Sequence, residues 1–185
     1  MLAGVLLCLT LNAHVDHRSE NKRQLKVKAA FILNLIRFSQ WNSIDKTQKN
    51  APVNLCLYQY NFLYNSLDSI IGKKIKHRKI HSKVIKTFRI SEQCDIIIIP
   101  PMVLKDFLEF NNVENLQNSI TITDLSNKHP AVNSLENKVI FRLIRENSRL
   151  SFEVNKTAAS KLNIGIGSEL LKLGKIISEP DWNNP

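Results

Sequence analysis

Four consecutive isoleucines, Ile96 to Ile99, follow Asp95 and stop at Pro100 and Pro101. A strand with one wet face alternates apolar and polar residues, whereas an unbroken branched apolar run fits a strand buried on both faces. The proline pair ends it, because proline has no N–H to give the ladder. A doubly covered central strand asks for an α/β arrangement, and the flanking sequence supplies one. Val53 to Gln59 predicts a strand, Phe62 to Ile71 a short helix, and Lys79 to Ile90 a strand with Ile80, Val84, Phe88 and Ile90 on one face. Met102 to Phe110 predicts a helix, and Ile120 and Ile122 mark a strand ending at Asp124. Lys138 to Ile144 and Arg149 to Asn155 predict an antiparallel pair joined at Glu146-Asn147-Ser148. The expected fold class is α/β, a single domain with a mixed β-sheet flanked by helices.

The C-terminal block, Arg149 to Ile177, opens on a strand in which Leu150, Phe152 and Val154 alternate with Ser151, Glu153 and Asn155. Asn155 can cap a helix that starts at Lys156 and carries Ala158, Ala159 and Leu162. Gly165 and Gly167 break the chain. Ser168 stands at an N-cap position, and Leu170, Leu171, Leu173, Ile176 and Ile177 form the stripe of a final helix. Near the other end, Lys28 to Trp41 has Val27, Ala30, Phe31, Leu35 and Phe38 at helical spacing, with Ala29, Ile32, Leu33 and Ile36 filling the opposite side. A helix apolar on most sides is either a central core helix or buries a second face in a partner or a second copy. On the latter reading Ile32, Ile36 and Trp41 are the candidate interface residues.

These blocks resemble the YfiR family of periplasmic regulators of membrane diguanylate cyclases. The family's C-terminal signature is matched by Arg149, Phe152, Val154, Asn155, Ala158, Ala159, Leu162, Ser168, Leu170, Leu171, Lys172 and Leu173. Its opening Lys-Ala-Ala-Phe helix with a Phe-x-x-Trp exit is matched by Lys28, Ala29, Ala30, Phe31, Asn34, Phe38 and Trp41. The family also carries cysteines in a Leu-Cys strand and just before the apolar strand, where Cys56 and Cys94 stand. The resemblance implies that Cys56 and Cys94 are a disulfide pair; read from residues alone they are equally two buried thiols, and the compartment decides. Two features depart from the family. Asn42 replaces the proline that usually follows the tryptophan, and Leu135 to Ile140 replaces a Gly-Gly-Met-Ile-like turn.

Leu2 to Leu11 is an apolar run of signal-peptide length, too short for a bilayer span of about 20 residues. Ala13 then offers a small residue for cleavage. The expected organisation is a signal peptide over 1–13, a flexible arm over 14–25, the α/β domain over 26–178 and a loose tail over 179–185. Removing the leader discards Cys8 and leaves one even pair, as an exported chain with one structural disulfide would have. The expected localisation is periplasmic.

The chain carries a net charge of +10. Gly72 to Arg89 holds eight Lys or Arg, two His and no acid. Behind a leader, with Phe88 its only aromatic, this tract argues against nucleic acid as a partner. The remaining readings are a solvated strand face or peripheral contact with an anionic membrane surface or acidic partner. His77 and His81 sit among cations, which disfavours a metal site. Asp124 at a strand end is the sole hint of an α/β active site, and Asp95 and Asp68 have no evident partner. The turn Gly165 to Ser168 matches neither phosphate-loop nor dinucleotide spacing. No nucleophile motif occurs, and no cofactor or metal is called for. The resemblance therefore implies a non-enzymatic repressor that binds the sensor domain of an inner-membrane diguanylate cyclase and lowers cyclic di-GMP. The alternative is a small-ligand-binding module working with another receptor such as a histidine kinase.

Overall fold

A computed structural model describes residues 17–41, 51–58, 67–90, 93–127 and 138–177. The isoleucine run forms β5 (Ile96–Ile99), and all four side chains are buried. It sits fifth in an eight-stranded sheet. The strands are β2 (Val53–Tyr58), β3 (Lys74–Ile75), β4 (Arg78–Ile85), β5, β6 (Ile120–Asp124), β7 (Phe141–Glu146), β8 (Arg149–Asn155) and β10 (Lys175–Ile177), in the order β10-β8-β7-β6-β5-β2-β4-β3. β4, β2, β5, β6 and β7 run parallel; β8 and β3 pair antiparallel at the two sides. A separate antiparallel pair joins β1 (Ser39–Trp41) to β9 (Ile164–Ile166). This is the mixed α/β sheet that the sequence predicts.

Both faces are covered. Alternation places Leu57, Ile98, Ile122, Asp124 and Phe152 on one face, through the registers that link them. Helix α1 (His17–Arg37) crosses that face, since Phe31 meets the Phe152 ring edge-on at 6.4 Å. Tyr58 points to the other face and meets Phe107 of helix α2 (Leu104–Phe110) at 6.3 Å. Helices α3 (Lys156–Lys161) and α4 (Ser168–Leu173) complete the C-terminal segment. Asn155 caps α3 as expected, its side chain accepting from the Ala158 N–H at 2.9 Å.

Several boundaries differ from the sequence reading. The arm predicted over 14–25 is helical from His17, so α1 is longer than the Lys28–Trp41 pattern. Ser168 is the first residue of α4 rather than its cap; Gly167 takes that place, with a backbone N–H bonded to the Phe38 carbonyl at 2.9 Å. The final helix stops at Leu173, and Ile176 and Ile177 belong to β10, paired parallel to β8. Gly174 makes the break: a Cβ there would stand 2.3 Å from the Phe152 ring, so only glycine lets the chain pass. The predicted strand over Lys79–Ile90 ends at Ile85, and Val84 and Phe88 lie at the surface while Ile80 and Ile90 are buried. The β7–β8 connection is the two residues Asn147 and Ser148, both at positive φ, as a tight right-twisted hairpin requires. The predicted leader, the first half of the helix over Phe62–Ile71, the turn over 135–137 and the tail all lie outside the described residues.

Candidate functional site

The disulfide reading holds: Cys56 and Cys94 are bridged, with Cα atoms 5.7 Å apart, tying β2 to the segment that leads into β5. The interface reading of α1 does not hold at Ile32 and Ile36. Both are 0 % exposed and belong to the core, because α1 turns that side onto the sheet. Trp41 ends β1, its backbone opposite Ile164; its side chain lies outside the described residues. The outward side of α1 carries Val27, and Phe38 follows its last residue on the same side; each is nearly half exposed.

Asp124 has a structural partner. The Lys28 ammonium, only 4 % exposed as a residue, donates to its Oδ2 at 2.7 Å. The Ser126 N–H and hydroxyl donate to its Oδ1 at 3.0 and 2.6 Å. This pair pins α1 to the C-terminal end of β6. Asp95, which the sequence left without a partner, accepts from the Asn54 N–H at 2.7 Å and faces the Arg78 guanidinium at 3.7 Å. Arg78 also donates to the Ala51 and Pro52 carbonyls, both at 2.6 Å, so this member of the basic tract is structural. His77 and His81 are exposed, and among the described residues no group of three His, Cys, Asp or Glu side chains could hold a metal.

Beside the Lys28–Asp124 pair lies a cleft of about 580 Å³ between α1 and the β7–β8 turn. Val27, Phe31 and Leu150 give it an apolar floor, and Arg23, Arg145 and Arg149 surround it with guanidinium groups. Gln24, Lys28 and Ser148 complete the described lining, which contains no Asp or Glu. Arg145 is held in place, donating to the Ser148 carbonyl at 2.9 Å and to Gln24 Oε1 at 3.4 Å. The cleft is built to accept an anionic group attached to an apolar body. Sequence reading missed it, because Arg23 and Arg145 are far apart in the chain and each alone is an ordinary surface cation.

A domain-family model described as YfiR/HmsC-like matches residues 25–175. The chain belongs to the YfiR/HmsC-like family. A search of curated proteins found no match. The matched span begins inside α1 and ends at the start of β10, so it takes in the ion pair, the disulfide and most of the cleft lining. Membership of the YfiR/HmsC-like family implies a regulator of diguanylate cyclase signalling rather than an enzyme. Within this YfiR/HmsC-like chain no helix of the described residues is long and apolar enough to cross a membrane.

Proposed function

We propose that this chain is a periplasmic repressor that binds the sensor domain of an inner-membrane diguanylate cyclase and lowers cyclic di-GMP. The observation that carries this reading is the cleft of α1 and the β7–β8 turn: an apolar floor surrounded by Arg23, Arg145 and Arg149 with no acid in the described lining. It suits an apolar side chain of a partner flanked by carboxylates, and guanidinium is the cation best shaped for them. Repression then follows from differential binding. A chain that engages only the inactive conformation of the sensor holds the cyclase there, and its release lets activity rise. The disulfide supports an oxidising compartment for this binding.

The test is binding of the purified chain to the purified cyclase sensor domain, with the double variant Arg145→Glu/Arg149→Glu. Both side chains are exposed, so the variant should fold. Affinity should fall by roughly a hundredfold, and cyclic di-GMP should rise in cells carrying the variant. Unchanged binding and unchanged cyclic di-GMP would refute the assignment. A cleft of this size also falls in the range of small-molecule sites. Unchanged sensor binding together with a lost response to a small anionic ligand would favour the ligand-binding module.

A further inference from the structure

We propose that the tip following β4 is a membrane-contact site, which seats this chain on an anionic phospholipid surface through two stacked phenylalanines flanked by Lys86 and Arg89. Phe88 and Phe110 are 22 positions apart in sequence, yet their rings stack with centroids 6.0 Å apart and planes 16° from parallel. They are 41 % and 52 % exposed. The backbone that carries the Phe88 ring is fixed from below. The buried Asn111 amide donates to the Phe88 carbonyl at 2.7 Å and accepts from the Ile90 N–H at 2.7 Å. The Tyr58 hydroxyl, beneath the same loop, donates to the Phe88 carbonyl at 3.1 Å. Buried polar groups thus clamp a loop whose side chain points to solvent, and a clamp of that kind preorganises a contact.

The charge around the rings selects the occupant. Eight of the 26 basic side chains lie between Gly72 and Arg89 without an acid; the other 18 are nearly balanced by 16 acids. Most of that tract lies at the hairpin end of β4, where Arg78 is buried against Asp95; Lys86 and Arg89 are the members that belong to the tip itself. Lys86 and Arg89 are exposed on either side of Phe88, and next to Phe110 the exposed Lys105 and Glu109 of α2 offset one another, so the net charge beside the rings is positive. Phenylalanines flanked by Lys86 and Arg89 match the two terms of interfacial binding: burial of apolar area at the acyl boundary and attraction to anionic head groups. A lipid surface supplies both terms across the whole tip, and a protein partner carrying an apolar side chain among carboxylates is the outcome that the sensor-domain measurement below detects. This inference stands apart from the sensor-docking reading, because the cleft lies on α1 and the β7–β8 turn, at the other side of the sheet order.

The test is co-sedimentation of the purified chain with vesicles of phosphatidylcholine alone and of phosphatidylcholine with phosphatidylglycerol. The chain should bind the anionic vesicles and be released by added salt. Phe88→Ser/Phe110→Ser and, separately, Lys86→Glu/Arg89→Glu should each weaken binding by roughly tenfold or more, with thermal unfolding unchanged. The cleft variant Arg145→Glu/Arg149→Glu should lose much less. Absence of binding to the anionic vesicles overturns the proposal. So does binding that is indifferent to the phenylalanines, which would be general attraction of a basic protein. Binding of the ring pair to the cyclase sensor domain without vesicle binding would overturn it in favour of a protein contact.

Discussion

Lys28 is the most informative single residue to perturb, because it is the first residue of the family-like helix motif and the anchor of α1. Lys28→Met keeps the stem volume and removes the ammonium. The Asp124 carboxylate then keeps its two Ser126 donors but loses its counter-ion at 2.7 Å. Breaking a buried pair from one side costs about 3–5 kcal/mol, since an uncompensated charge stays behind. The surviving donors and the 12 % exposure of the Asp124 side chain place Lys28→Met near the lower end, about 3 kcal/mol. Asp124→Asn strands a more deeply buried ammonium and should cost more, about 4 kcal/mol. The double variant strands no charge, so it should cost well under the sum, with a coupling of about 2 kcal/mol or more. Urea unfolding with an unchanged slope reads all three values. A Lys28→Met cost below about 1 kcal/mol, with no coupling to Asp124, would show that the ammonium is effectively in water and that the pair does not anchor α1.

Two further outcomes are expected. Cys56→Ser or Cys94→Ser should lower stability by about 4 kcal/mol for a bridge spanning 38 positions, and the double variant should cost little more than either; equal stability of oxidised and reduced protein would contradict this. Burial pushes the Tyr58 hydroxyl well above its ordinary value near 10, so the folded form holds its proton where the unfolded chain has lost it. Its contribution to stability is full below about pH 10 and is lost as pH rises further, which Tyr58→Phe should flatten in alkaline unfolding curves.

Much of the sheet was legible because its signals are local. Ile96 to Ile99, the alternation from Leu150 to Val154 and the Asn155 cap each state their environment within a few residues. The errors share one cause. Ile176 and Ile177 continue the helical spacing of Leu170 and Leu173, and only the Phe152 ring, from another element, explains why Gly174 must end the helix there. Ile32 and Ile36 could face core or partner, and the choice depended on which side of α1 Phe31 and Lys28 fix to the sheet. The cleft and the Phe88–Phe110 stack were illegible for the same reason. Both are made of unremarkable surface residues that become a site only when distant segments pack.

The β1–β9 pairing sets the order in which this molecule can be completed. Ser39 stands opposite Ile166, and the Phe38 carbonyl is held by the Gly167 N–H. The C-terminal end of α1 therefore waits for residues that a ribosome adds long after it. Until then the early helix has its apolar side but not its final strand partner, and the β8 strand that receives Phe31 is missing as well. A nascent chain of this sequence therefore closes its front late: truncation near Asn163 should leave β1 without its partner strand and fray the C-terminal turn of α1, while the Lys28–Asp124 pair and the Phe31–Phe152 contact hold the rest of the helix.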